Sequence, residues 1–235
     1  MDDSPTAHLR ADKTDGEMWR DIVERNAYRL PNFDPQDLVV DVGGNIGAFS
    51  YACLERGCGR VVYIEPCSEN TGIARKTLAK FGDRVTFINK ACSGEAGTVR
   101  FSGYTYGGRH PGGATTYMNT EGDPVAAVTL SSILEGLGLP RVRLLKIDCE
   151  GSEFVIMPEF RHFDLVDEVL LEYHQRLWVK REWGFCLEYT KGSWNGLLDI
   201  LKNNGFSTEC NYGGSPDENG MICAWKERHT LHVIG

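Results

Sequence analysis

The sequence predicts an α/β fold: one mostly parallel sheet, covered by helices on both faces and closed by an antiparallel hairpin. Three observations carry that reading. Short, unbroken apolar runs recur along the chain, as strands buried on both faces do. Stretches with helical spacing of apolar residues sit between them. Near the end of the chain, residues 206–210 and 221–225 flank a turn rich in Gly, Asn and Asp. Strand and helix taking turns at this spacing is the pattern of a parallel sheet.

The elements follow in order. The chain has 235 residues, 41% of them hydrophobic, enough for one large domain with its own core. Residues 1–16 are polar and are expected to form a flexible tail, leaving 17–235 as a single domain. Asp15 is expected to cap a helix whose Met18, Trp19, Ile22 and Val23 form an apolar stripe, ended by Pro31 and Pro35. Residues 38–42 read as a buried strand running into glycines. Ile46, Phe49, Cys53 and Leu54 then share a helical face closed by Gly57 and Gly59. A second strand spans 61–64. Ser68 is expected to cap the next helix, with Ile73, Ala74, Thr77, Leu78 and Phe81 inward and Gly82 at its end. Further strands are expected at 85–88, 98–101, 125–130, 144–147 and 169–171. Residues 102–124 form a glycine-rich stretch of the kind used as a lid or binding loop, or left disordered. Ser193 is expected to cap a helix with Trp194, Leu197, Leu198 and Leu201 inward and Gly205 as terminator. The hairpin of 206–210 with 221–225 closes the chain.

Composition excludes several classes of function. Lys plus Arg number 25 and Asp plus Glu 33, a net charge of −8. An acidic chain without a basic cluster argues against nucleic-acid partners and against adsorption to anionic lipid. The longest apolar runs, such as Val125-Ala126-Ala127-Val128, fall far short of a membrane span. The eight cysteines form no CxxC pair and no zinc spacing. With no charged-then-apolar leader, a cytoplasmic setting with reduced thiols is expected.

The chemistry is expected at strand tips. Val39-Val40-Asp41-Val42-Gly43-Gly44-Asn45-Ile46-Gly47 is a strand feeding a glycine turn that opens a helix, where open α/β sheets bind ligands. No register of these glycines gives the G-x-G-x-x-G of a dinucleotide site. Glu65, at the tip of the second strand before Pro66, is placed to accept both hydroxyls of a ribose, whether of a nucleotide or of S-adenosylmethionine. A third strand ends in Lys146-Ile147-Asp148-Cys149-Glu150-Gly151-Ser152-Glu153. Its carboxylates are costly to crowd without a ligand, a proton or a cation. A fourth ends in Glu172-Tyr173-His174.

Asp41, Gly43, Asn45 and Gly47 match acidic-x-G-x-(G/N)-x-G, the first motif of S-adenosylmethionine-dependent methyltransferases. Together with Ser50, Glu65-Pro66, Ala91, Thr129-Leu130, the 146–153 string and Glu172, the chain resembles the FkbM family of these enzymes from about residue 38 to 174. Gly44 stands where alanine is common in that family. The resemblance implies a Rossmann-like class I methyltransferase fold with a seven-stranded sheet, S-adenosylmethionine as cofactor, and methyl transfer to a hydroxyl of a small molecule. It implies that Asp41, Gly43, Asn45 and Gly47, with Ser50, surround the methionine part. Glu65 and Pro66 would lie at the ribose, Ala91 would lie against the adenine, and Asp148 and Glu150 would face the methyl group and the acceptor.

A hydroxyl acceptor must lose a proton, and Asp148, Glu150, Glu172, His174 and His110 are the candidate bases. Histidine titrates nearest neutrality, which favours His174 chemically. No metal is the favoured reading; a divalent cation on Asp148, Glu172 and His174 is the alternative. The aromatic stretch from Gln175 to Trp194 offers Trp178, Trp183, Phe185 and Tyr189 as a pocket floor, with Trp194 assigned to the core. The rivals are an N-methyltransferase, a nicotinamide-dependent oxidoreductase and a non-catalytic cofactor-binding subunit.

Overall fold

The computed structural model describes residues 5–11, 13–101, 104–105, 108–109, 122–139, 141–181, 184–189, 192–211 and 219–227. A seven-stranded sheet organises it. Its strands are β1 (Leu38–Val42), β2 (Arg60–Ile64), β3 (Val85–Ile88), β9 (Val142–Asp148), β10 (Val166–His174), β13 (Ser207–Asn211) and β14 (Asn219–Trp225), in the order β13-β14-β10-β9-β1-β2-β3. All neighbours pair in parallel except β14, which runs antiparallel to both β10 and β13. This is the Rossmann-like architecture expected, with the hairpin supplying the antiparallel strand.

Alternation along the strands builds two core layers. On β1, Val40 and Val42 join one cluster with β9's Leu145 and Ile147, and with residues of α4 (Leu130–Leu137), α5 (Glu153–Glu159) and α6 (Trp194–Asn203). Val39 faces the other layer with Leu144 and Leu170, covered by α1 (Lys13–Trp19), α2 (Ala48–Glu55) and α3 (Ser68–Thr77). A parallel sheet needs both faces covered, so its strands have no polar edge to spare. All five residues of β1 are buried, Asp41 among them. That aspartate can be there only because charge and hydrogen-bond partners meet it, as described below.

The smaller elements frame this body. β4 (Ala91–Cys92), β5 (Gly97–Phe101) and β8 (Asp123–Val128) form a three-stranded sheet; β6 (Tyr104–Thr105) pairs with β7 (Gly108–Arg109), and β11 (Arg176–Arg181) with β12 (Gly184–Tyr189). This last hairpin falls in the aromatic stretch, where no strand was expected. The strand expected at 125–130 ends at Val128, because Thr129 caps α4 by accepting from the Ser132 N–H. Ser193 caps α6 as expected, accepting from the Gly196 N–H.

Two expected caps are corrected. Asp15 does not precede the first helix but lies inside α1, 1% exposed, where the Arg10 guanidinium bonds both its oxygens. Arg10 also reaches the Asn70 Oδ1 on α3, so part of the stretch expected to be a loose tail is tied to the body. Ser68 makes no cap; Cys67 holds that position, without a side-chain bond. The described cysteines are free, and no described helix is long and apolar enough to cross a membrane.

Candidate active site

Four parallel strand tips meet at one end of the sheet, and the local chain explains each. After β1 the backbone turns through Gly43 (φ 77°), Asn45 (φ 47°) and Gly47 (φ 85°), left-handed conformations that favour glycine and asparagine. At Gly43 there is also no room for anything larger. A Cβ there would lie 1.8 Å from the Asp148 carbonyl oxygen at the tip of β9. The Gly43 and Gly44 N–H groups both donate to the Ile64 carbonyl, fastening the turn to β2.

Glu65 follows β2 and is 6% exposed. Its Oε2 accepts from the Asn45 N–H at 3.0 Å and its Oε1 from the Cys67 N–H at 2.8 Å. Burial outweighs these bonds and pushes its carboxyl up to about 7. Tyr63 donates its hydroxyl to the Asn45 carbonyl. The Asn45 Oδ1 is buried and has no hydrogen-bond partner among the described residues. Pro66, next in the chain after Glu65, is partly exposed, and its carbonyl accepts from the Asn89 side chain. Ala91 is 1% exposed, paired with Ala127 in the small sheet.

Behind the turn lies a buried polar chain. Ser50, on α2, donates to the Asp41 Oδ2 at 2.7 Å. Lys146 lies opposite Asp41 in the β1–β9 register. Its Nζ donates to the Gly43 carbonyl at 2.8 Å and lies 3.3 Å from both Asp41 Oδ1 and Asp148 Oδ2. Burial alone would lower its pKa; Asp148 and Asp41 outweigh that and hold it well above the usual lysine value.

The tips of β9 and β10 carry the carboxylates. Glu172 lies opposite Asp148 in register. The His174 Nε2 lies 3.9 Å from Asp148 Oδ1, 3.7 Å from Glu150 Oε2 and 3.8 Å from Glu172 Oε1. Glu153, fully buried on α5, accepts from the Gly151 and His174 N–H groups, and its Oε1 is 3.2 Å from the His174 Nδ1. Burial and then Asp148, Glu153 and Glu172, against the attraction of His174, push Glu150 up to about 7. Burial also raises Glu172, reinforced by Asp148. His174 would be lowered by burial, but Glu150, Glu153 and Asp148 hold it well above the usual histidine value. Raised in this way, His174 holds its proton more firmly than a free imidazole does.

These tips surround a cavity of about 230 Å³ walled by Gly43, Gly44, Asn45, Lys146, Asp148, Glu150, Glu172 and His174. Met18, Ile22 and Tyr28 of the N-terminal segment close one side of it. The same three residues and Glu172 also line a larger groove of about 800 Å³ over β10, β14 and β13. The Tyr28 hydroxyl points at Glu172 Oε2, 3.4 Å away.

The structure thus gathers Asp41, Gly43, Asn45, Ser50, Asp148, Glu150, Glu172 and His174 around one cavity or directly behind its wall. Glu65 joins them through the Asn45 N–H. Gly47 opens α2, and Ala91 is not on the cavity wall. His110 and Trp183, and the side chains of Trp178, Phe185 and Tyr189, lie outside the described residues. Trp194 stacks on Tyr173 and packs against the core, as assigned. The sequence alone assigns no role to Lys146, Glu153 or Tyr28. A lysine flanked by Leu145 and Ile147 in a buried strand was the readable signal for the first, because such a charge needs a carboxylate partner.

Comparison with known proteins adds the following. The profile described as Methyltransferase FkbM domain matches residues 41–208. No curated protein matches the chain. Among solved structures, the chain is similar to a precorrin-6y C5,15-methyltransferase from Geobacter metallireducens, with 15% identity, 93% of this chain and 92% of that one covered, and a TM-score of 0.46. It is similar to magnesium protoporphyrin IX methyltransferase from Synechocystis with bound SAM (13%, 90% and 79%, 0.47). It is also similar to an rRNA methylase from Streptococcus thermophilus (8%, 93% and 99%, 0.46).

Proposed function

We propose that this chain, which belongs to the FkbM family of S-adenosylmethionine-dependent methyltransferases, methylates a hydroxyl of a small molecule seated in the groove under its N-terminal segment. The observation that carries this reading is the meeting of two spaces at Glu172. The inner cavity holds the glycine turn, and the groove beside it, at about 800 Å³, has the volume of a small-molecule site.

The residues present fit the cofactor. Asn45 offers a buried oxygen without a partner, suited to an ammonium group. Glu65 offers a carboxylate at the tip of β2, held by the Asn45 and Cys67 N–H groups, with a lone pair left on each oxygen for two sugar hydroxyls. Asp41, clamped by Ser50 and Lys146, fixes the turn on which these groups sit. When bound, S-adenosylmethionine supplies an electrophilic methyl group that needs no activation by the protein.

The protein's own work is alignment and proton removal. Holding an acceptor oxygen in line with the methyl group is worth up to about 7–11 kcal/mol. Glu172 is the base we assign, because it borders both spaces and burial leaves its carboxylate more basic than usual. Tyr28 directs it by donating to Oε2, and Met18 and Ile22 keep bulk water out. The groove's Asp21 and Glu209 are acceptors suited to a polyhydroxylated ligand.

Calorimetric titration with S-adenosylmethionine and S-adenosylhomocysteine, followed by labelled methyl transfer to panels of alcohols, sugars, phenols and amines, tests this. Binding of both cofactor forms with label on a hydroxyl is expected. Absence of cofactor binding would remove the reading, and label confined to amines would move it to N-methylation.

A further inference from the structure

The turn after β1 is gripped from β2 by a single tyrosine. Tyr63 is fully buried and donates its hydroxyl to the Asn45 carbonyl. Its ring rests on the turn itself, because a Cβ on Gly44 would collide with Tyr63 Cε2 and Cδ2. Phe87 of β3 packs on the same ring, with centroids 5.3 Å apart. A ring held against Phe87 and against backbone bare of a side chain has little room to swing, so its hydroxyl is fixed in place. Burial, reinforced by Glu65, holds that hydroxyl well above the usual tyrosine pKa, and it stays a donor.

Asn45 is the residue that needs such a grip. Its φ of 47° is a conformation that a residue with a side chain keeps only when its surroundings impose it. Glu65 Oε2 takes its N–H at 3.0 Å while Tyr63 gives to its carbonyl, so its backbone is clamped on both sides. The side chain is left for something else. Oδ1 is buried without a hydrogen-bond partner among the described residues, and Asn45 lines the inner cavity. A buried acceptor of this kind costs stability unless a ligand brings the donor.

We propose that Tyr63 is a positioning residue for the ammonium group of the cofactor: it fixes the Asn45 peptide so that Oδ1 meets the amino-acid end, and it touches no ligand itself. This rests on the methyltransferase reading and adds to it a residue that is not on the cavity wall. Gly44 belongs to the same arrangement, since a side chain there would push the ring off the turn.

The test compares two ligands by calorimetry: S-adenosylhomocysteine, which carries the ammonium group, and adenosine, which has the same base and ribose without the amino-acid end. Tyr63→Phe keeps the ring and removes only the hydroxyl. It should weaken S-adenosylhomocysteine about tenfold and adenosine by no more than about twofold. Asn45→Gly keeps the left-handed turn and lacks Oδ1, so in that background Tyr63→Phe should change S-adenosylhomocysteine affinity by no more than about twofold. This second comparison decides where adenosine is too weak to titrate. Circular dichroism checks each fold; if Tyr63→Phe does not fold, Gly44→Ala, which displaces the ring and keeps its hydroxyl, decides with the same two ligands. Equal weakening of both ligands, weakening of neither, or an undiminished effect beside Asn45→Gly overturns the role of Tyr63 alone. An unaltered chain that fails to bind S-adenosylhomocysteine overturns the methyltransferase reading and this role with it, so the two failures are distinct.

Discussion

The two halves of the strand-tip end are built on opposite terms. At β1 and β2 the polar groups are mostly answered from the backbone: Gly43 and Gly44 donate to Ile64, and Asn45 and Cys67 donate to Glu65. At β9 and β10 the side chains answer one another, with the His174 Nε2 3.9 Å from Asp148, 3.7 Å from Glu150 and 3.8 Å from Glu172. The first half is preorganised before a ligand arrives and suits holding. The second keeps charge in reserve and suits chemistry. Lys146 is where they meet, because one ammonium serves Asp41, Asp148 and the Gly43 carbonyl.

The hardest blow to this comparison is therefore Lys146→Met. It leaves Asp41 buried without its counter-charge, and removal of one partner from such a pair costs about 3–5 kcal/mol. Denaturant unfolding measures it; a loss below about 1 kcal/mol would mean the halves are not joined here. Next, Glu172→Gln should reduce turnover about 10²–10⁴-fold while changing cofactor affinity only a few-fold. Steady-state kinetics with parallel calorimetry separate the two, and unchanged turnover would return Glu172 to a structural role.

Glu65→Gln sharpens the holding half. Loss of a charged acceptor for sugar hydroxyls should weaken S-adenosylmethionine binding about tenfold or more. It should also abolish a pH dependence. Glu65 is pushed from its usual 4.5 up to about 7 in the folded chain, so between those values the folded state holds a proton that the unfolded state has shed. Its share of stability is thus greatest at low pH and is lost as pH rises toward 7. Cofactor affinity runs the other way, falling about tenfold per pH unit below about 7, because only the ionised carboxylate accepts both hydroxyls. The smallest effect comes far from either half: Ser193→Ala removes the α6 cap and should cost about 1 kcal/mol with cofactor affinity unchanged.

Much of the holding half was legible because it is contiguous in sequence. Gly43, Asn45 and Gly47 carry their left-handed geometry in their residue types, and Glu65 follows β2 at once. Most of the sheet's seven strands were legible for a related reason, being short apolar runs between glycines or helical segments; β13, Ser-Thr-Glu-Cys-Asn, was read instead from the turn beside it. The chemical half was only half legible. That Asp148, Glu150, Glu172 and His174 end strands could be read. That His174 is turned by Glu153, or that Lys146 spans Asp41 and Asp148, depends on which strands are neighbours and in what register. Tyr28 reaches Glu172 across 144 residues of chain, which no local pattern encodes. Asp15 shows the opposite failure: its residue type suits a cap, but Arg10 offers it a stronger, charged partner.

The missing space at Gly43 has a consequence for anyone redesigning this protein. Because the turn's backbone rests directly on the Asp148 carbonyl, with no side chain between them as a cushion, neither strand tip can be re-sculpted without shifting its neighbour. On the proposed reading, new acceptor preferences are therefore best sought in Met18 and Ile22, which line the groove from the N-terminal side, away from the two tips' shared contact.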